Sequence, residues 1–279
     1  MVLTEVMLTC QLVDGTTIKK SVGIDPTRVS LTRTNLKEIG LNPLRSCESL
    51  VWLDLAHNQL NEVDLSQLGL ESGIERLSLS YNPLHRIDLD PLREWNGLRI
   101  LRLTGCELDR IDLEALAGMK YLEQLSITYN SLEEVDLSPL ASCSSLEILT
   151  INRNRFSHLD MGPLAECHRL KTLNIGDNGF QTIDLAPLEA CTNLYSLVIN
   201  KTPLESIDLM PLESVATLQG LDLSKNQFKT VDLRPLRHCN DIYEVNLEDN
   251  PLESLIVPKG FACAALKLNA DTELEMIER

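Results

Sequence analysis

Eight aspartates, Asp64, Asp88, Asp112, Asp136, Asp160, Asp184, Asp208 and Asp232, stand 24 residues apart and are the side chains best placed to do chemistry. Carboxylates at so regular an interval have two readings. Each can cap a short helical turn by accepting backbone N–H groups. Alternatively, the array can hold a chain of Ca²⁺ ions, for which carboxylate oxygen is a preferred ligand. The proline that follows in most copies marks a helix start and favours capping. Cysteine is the second recurring type: Cys47, Cys143, Cys167, Cys191, Cys239 and Cys263 share one slot, filled elsewhere by Trp95, Met119 and Val215. A slot so tolerant of apolar residues is buried, so its cysteines read as small hydrophobes with structural thiols. Disulfide or metal bonding between stacked neighbours is the alternative, without a C-x-x-C pair to support it. The histidines at 57, 85, 158, 168 and 238 fall in different slots, and none pairs with a nucleophile. No glycine-rich phosphate loop, H-E-x-x-H or G-x-S-x-G occurs. No catalytic, cofactor or metal residue is assigned, and the chain is expected not to be an enzyme.

What positions these residues is a repeat. One slot recurs ten times at a spacing of 24 without insertion or deletion: Thr34, Asn58, Asn82, Cys106, Asn130, Asn154, Asn178, Thr202, Asn226 and Asn250. Apolar pairs such as Leu53/Leu55 and Leu125/Ile127 precede it, and trios such as Leu60/Val63/Leu65 follow. The alternating x-L-x-L-x segment marks a short strand with one buried face. Strands from successive copies then stack in parallel at roughly 4.8 Å. The slot itself lies where the chain leaves the strand, so an asparagine there can satisfy backbone groups that face the interior. Thr34, Cys106 and Thr202 interrupt that ladder, and looser turns are expected beside them. The return segment reads I-D-L-x-P-L, with proline at 43, 91, 139, 163, 187, 211 and 235, which suits the first turn of a short helix or 3₁₀ turn.

Leu122, Leu125, Ile127, Asn130 and Leu132 match L-x-x-L-x-L-x-x-N/C-x-L, and the copies keep this register over about residues 29–257. The chain therefore resembles the leucine-rich-repeat family. The resemblance implies an α/β repeat solenoid: a horseshoe with a parallel concave β-sheet and short 3₁₀, helical or extended convex segments. It also implies recognition of a partner on the concave face. The Asp-Leu-x-Pro-Leu segment departs from the best-known subclasses, so no subclass ligand is carried over. Residues 1–28 are expected to form an N-terminal β-hairpin cap turning at Asp14-Gly15, and residues 29–257 ten 24-residue coils. Residues 258–279 are expected to form a C-terminal cap and tail, with Phe261, Cys263, Leu266 and Leu268 plugging the last coil and 271–279 an acidic tail.

Composition narrows the partner. Aromatics are 4% of a chain that is 43% hydrophobic, so the core is aliphatic. A net charge of −16 argues against nucleic acid and anionic membranes. No apolar run is long enough to span a bilayer, and the sequence opens without a basic-then-apolar leader, so a cytoplasmic monomer is expected. The Asn200-Lys201-Thr202 sequon then reads as accidental. Solvent-facing strand slots lie six, four, two and one before the asparagine slot. On the first six coils they carry Arg28, Arg33, Trp52, His57, Arg76, Tyr81, Arg102, Tyr129 and Arg153, opposed by Asp54; the last coil carries Glu244, Glu248 and Asp249. A mixed polar inner sheet is the plain reading. The sharper one is that Trp52, Arg76, Tyr81, Arg102, Tyr129 and Arg153 dock an acidic segment of a protein partner, since Trp, Tyr and Arg are the types enriched in interface hot spots. The expected function is a non-catalytic protein-interaction module. The alternative is a regulatory or substrate-recruiting subunit of an enzyme complex of GTPase or phosphatase type.

Overall fold

The computed structural model describes residues 5–23, 26–69, 72–269 and 275–278. Its main element is a sheet of eleven short strands, whose members in chain order are β3 (Arg28–Ser30), β5 (Trp52–Asp54), β6 (Arg76–Ser78), β7 (Ile100–Arg102), β8 (Gln124–Ser126), β9 (Ile148–Thr150), β10 (Thr172–Asn174), β11 (Ser196–Val198), β12 (Gly220–Asp222), β14 (Glu244–Asn246) and β16 (Ala265–Lys267). Neighbours are parallel and in register at the repeat spacing, as in Leu53↔Leu77, Leu101↔Leu125 and Leu173↔Leu197. The central leucine or valine of these strands faces the core, as period-two alternation requires. The two flanking residues face the opposite side and define the candidate binding face.

Asparagine closes each coil. Asn58, Asn82, Asn130, Asn154, Asn178, Asn226 and Asn250 each donate through Nδ2 to the carbonyl three residues back and to one 27 residues back in the preceding coil, at 2.8–3.3 Å. Oδ1 accepts a backbone N–H of the preceding coil, such as Leu60 N–H on Asn82 at 3.1 Å. The residue just before the slot turns left-handed, whether asparagine or threonine follows, and so points the slot's side chain inward: Arg33, His57, Tyr81, Tyr129, Arg153, Asp177, Lys201, Lys225 and Asp249 have φ of +52 to +58°. The interrupted rungs behave differently from one another. Beside Thr34 and Cys106 the following residues Asn35 and Glu107 also turn left-handed, and Leu84 N–H, with no Oδ1 opposite, bonds to Asn82 O at 2.8 Å. Thr202, whose N–H and hydroxyl are both accepted by Asn226 Oδ1, keeps the regular turn because the residue that follows it is Pro203, whose ring holds φ negative.

The convex side carries 3₁₀ turns, including Asn42–Ser46, Asp90–Glu94, Ser138–Ser142, Gly162–Glu166, Ala186–Ala190, Met210–Ser214 and Arg234–His238, each with proline in its opening positions. The cysteine slot lies under these turns. Cys143, Cys167 and Cys191 are fully buried, and each S–H donates at 3.3–3.4 Å to a carbonyl of the preceding coil, so these thiols are donors as well as hydrophobes. Trp95 fills the same slot by sending its indole N–H to Gly69 O at 3.1 Å. Burial pushes the Cys106 and Cys167 thiols up to about 12, and Cys143, Cys191 and Cys239 to about 11.

The ends depart from the array. At the amino end, β1 (Met7–Leu12) and β2 (Thr17–Ser21) form the antiparallel hairpin about Gly15, but β1 also pairs with β4 (Leu36–Ile39). The hairpin thus joins the outer return segment of the first coil and leaves β3 at the edge of the long sheet. At the carboxyl end, Phe261, Cys263, Leu266 and Leu268 pack partly buried against the core. Beyond plugging it, this segment adds β16 to the sheet at Glu244↔Ala265. Residues 275–278, expected in a tail, form β17 (Glu275–Glu278), which pairs with β15 (Ser254–Val257) beside β13 (Thr230–Asp232); 271–274 and 279 lie outside the described residues.

Asn82→Ala leaves Leu60 N–H unpaired at a site that is 1% exposed and takes one of two donors from Leu55 O and Leu79 O, which keep Asn58 Nδ2 and the Cys106 thiol. It is expected to cost about 1–3 kcal/mol, the range for one buried unpaired polar group; an unchanged urea midpoint would refute the account. With a thiol reagent at pH 8, half-buried Cys263 is expected to react promptly and the seven buried cysteines only on unfolding. Rapid labelling of Cys167 in the native protein contradicts this packing.

Candidate partner-binding face

The six inner-face residues singled out by sequence fall into two rows and a middle position. In the row at the start of the strands, the Trp52 ring lies between two guanidinium groups, Arg28 at 3.5 Å and Arg76 at 5.7 Å from its centroid. Such cation–π contacts hold the ring and both charges at the surface. In the row of left-handed residues, Tyr81 stacks on His57 with centroids 4.4 Å apart and planes 10° apart. Gly105 follows it, and a Cβ there would meet the Tyr81 ring at 2.8 Å and the Tyr129 ring at 3.4 Å. The two exposed tyrosines thus close over the glycine and wall a cleft of about 460 Å³ that Asn82, Glu107 and Asn130 also line. Arg102 lies between the rows and donates to Gln124 Oε1 at 3.0 Å. Arg153 differs: its Nε is 3.5 Å from Asp177, so it borders the basic region rather than adding free charge.

The charge pattern changes along the face. Among the described residues, no carboxylate is within ion-pairing distance of Arg28, Arg33, Arg76 or Arg102. From Arg153 onward the inner cations are opposed, Lys201 by Asp177, Lys225 by Asp249 and Lys267 by Glu244. Between the two ends, short side chains tie themselves together: Ser126 Oγ meets Thr104 and Thr150, and Thr128 bonds to Asn152. Asn200 of the sequon is committed to Asp222 at 2.7 Å and its Thr202 is buried. A second concavity of about 720 Å³, which the sequence reading did not assign, opens on β11, β12 and β14. Gly220 is its floor, Tyr195 and Tyr243 line it, and Asp222, Asp241 and Glu244 supply charge. The signal was present in the sequence as a glycine in an inner slot otherwise filled by side chains.

No protein-family model matches the chain, and no curated protein matches it. Solved structures do. The functional domain of InlJ from Listeria monocytogenes, described as including a cysteine ladder, is 19% identical over 87% of this chain and 53% of its own, with a TM-score of 0.67. An internalin, InlF, from the same organism is 25% identical over 85% and 65%, with a TM-score of 0.62. The leucine-rich-repeat protein LIC12759 from Leptospira interrogans is 21% identical over 84% and 64%, with a TM-score of 0.68. The chain spans between about half and two-thirds of the length of these relatives. At such identities the likeness is one of fold. With the eleven-stranded parallel sheet and the repeat register, it defines the chain as a leucine-rich-repeat solenoid of horseshoe form.

The aspartate row remains as the candidate for metal chemistry. All eight carboxylates accept, through Oδ1, the backbone N–H two residues on, at 2.8–3.0 Å. Asp64 is the cap residue of its turn, whereas the other seven stand one residue ahead, before Leu89, Leu113, Leu137, Met161, Leu185, Leu209 and Leu233. Side-chain bonds from Ser66 and then Gln67 hold the Asp64 carboxyl below its ordinary range, and Ser138 does so for Asp136. The first coil has Gly40 in this slot, and Gln67 Oε1 accepts the Asn42 N–H at 3.2 Å in its place. Among the described residues no three metal-ligating side chains converge. Millimolar Ca²⁺ is therefore expected to leave the melting temperature unchanged, while a rise of several degrees would overturn capping as the role of this row. Because these two folded-state pKa values are depressed, their stabilisation is complete above the ordinary carboxylate value of about 4 and is lost as pH falls through the folded values.

Proposed function

We propose that this solenoid is a non-catalytic protein-interaction module whose inner face, over the first six coils, docks an acidic segment of a partner protein. Stacked repeats create extended concave surfaces suited to such recognition. The observation that carries the reading is the Arg28–Trp52–Arg76 cluster. Its guanidinium groups have no carboxylate within ion-pairing distance among the described residues, in a protein whose net charge is −16. An acidic chain laid along the face would meet these cations, then Arg102, which bonds to Gln124 but has no carboxylate within ion-pairing distance among the described residues, then the tyrosine cleft. Opposed charge beyond Arg153 marks where this docking surface ends. The negative balance of the whole chain disfavours nucleic acid as the ligand. Eight free thiols, seven of them buried, suit a reducing compartment, and we place the protein in the cytosol as a monomer.

The test is affinity capture from the native source with wild-type protein and a Trp52→Ala/Arg102→Ala variant, read by mass spectrometry. Both residues are at least partly exposed, so the variant is expected to fold, with a melting temperature near that of wild type. The reading requires a partner captured by wild type and depleted at least about tenfold by the variant, a loss typical of hot-spot residues. Equal recovery by a folded variant refutes it.

A further inference from the structure

The concavity at the other end of the face has a different chemistry. Tyr195 and Tyr243 stand in one row, two coils apart, which is roughly 10 Å at strand spacing. They are 51% and 64% exposed, and Gln219 lies between them in the sequence of that row. Beside the row the strand surface is bare at Gly220. An added Cβ there would find its nearest neighbour, Ser196 Oγ, at 3.9 Å, so neither packing nor backbone conformation requires glycine. The lining carboxylates are Asp222, Asp241 and Glu244. Asp222 is anchored by Ser224 and Asn200, and Glu244 is met by Lys267 at 2.7 Å. Among the described residues, Asp241 has no ion-pair partner.

We infer that this concavity is a second recognition site, which receives an arginine side chain from an exposed segment of a protein partner. Exposed tyrosine faces attract cations through their quadrupoles. A planar guanidinium stacks on such rings while its edge donates to carboxylates, whereas an ammonium is a more strongly hydrated point charge with no flat face to stack. The carboxylates outnumber the one lysine opposing them, so the site complements a positive group. The site stands on residues separate from Trp52 and its neighbours and does not depend on what those bind. If one partner fills both sites, it carries acidic and basic stretches in an order that fixes its direction along the solenoid.

The probe is a fluorescein-labelled peptide with two arginines in a glycine–serine background, titrated by fluorescence anisotropy at about 0.15 M salt, where weak long-range attraction is screened. Saturable binding is expected. Tyr195→Ala/Tyr243→Ala, which removes exposed rings, and Gly220→Val, which fills the floor, are each expected to weaken it at least about tenfold. Melting temperatures near that of wild type establish that both variants fold. A peptide with neutral citrulline for arginine is expected not to bind, and a lysine peptide to bind several-fold more weakly. The Trp52→Ala/Arg102→Ala protein is expected to bind the arginine peptide as wild type does. The inference is overturned by no saturation at millimolar peptide, or by equal affinity for the folded variants. Equal binding of citrulline or lysine peptide, or loss of binding in the Trp52/Arg102 variant, overturns it as well.

Discussion

Every coil must reverse direction while keeping backbone groups inside an aliphatic core, and a buried N–H or C=O without a partner is costly. The asparagine side chain solves this because one amide offers donors to two carbonyls and an acceptor to an N–H of the preceding coil. The bond 27 residues back ties adjacent coils together, so the same group that closes one turn also sets the stacking. The turn that points this side chain inward holds the preceding residue in the left-handed region, which costs an L-residue roughly 1–2 kcal/mol. Left-handed residues often signal function. Here the conformation recurs in almost every coil, so it belongs to the fold, and only the identity of the side chain it lifts to the rim varies.

An unvarying period also aligns like with like, which is hazardous for charged slots. The aspartates avoid mutual repulsion by each serving its own turn, with the carboxylate committed to an N–H two residues away. On the inner face the later coils use a second remedy, placing Asp177 between Arg153 and Lys201 and Asp249 beside Lys225. Neither remedy operates at Arg28 and Arg76, whose charges flank one indole ring. Two cations on a single ring do nothing that the solenoid needs for stacking. Their charge is what the proposed anionic partner would oppose.

The repeating part of the molecule was legible because each coil sees the same surroundings. The strand leucines, the inward asparagines and the capping aspartates need only local chemistry and the period. Departures from the period were harder to read, since their partners lie in neighbouring coils. Nothing local in Gln67 indicates that it replaces the carboxylate missing at Gly40. Likewise, the pairing of β1 with β4 depends on the unpaired edge that the first return segment offers. Five of the six slot thiols are buried as the slot implies and Cys263 only partly, while the donation of these thiols to carbonyls depends on the stacking of one 3₁₀ turn over the next. For the binding face, residue types were visible and compensation was not. Arg153 looked like its neighbours until Asp177 was placed beside it.

Glycine shows how such ambiguity resolves. The inner face carries three, in different slots, and from sequence they look alike. At Gly176 a Cβ would fall 2.2 Å from Asn200 Oδ1 and 2.9 Å from its carbonyl oxygen, so the neighbouring coil excludes any side chain. At Gly105 the φ of +63° is one that L-residues adopt in neighbouring coils, but a Cβ would meet the Tyr81 ring at 2.8 Å; here too packing accounts for the residue. At Gly220 neither reason holds, since nothing lies closer than 3.9 Å and the residue sits in an ordinary strand. A strand glycine weakens local structure and is expected where packing or close approach demands it. Where the protein's own packing makes no such demand, the remaining physical reason is an approach by something else. The open space above Gly220, between two exposed tyrosines and beside carboxylates, is therefore better explained by a ligand than by the fold.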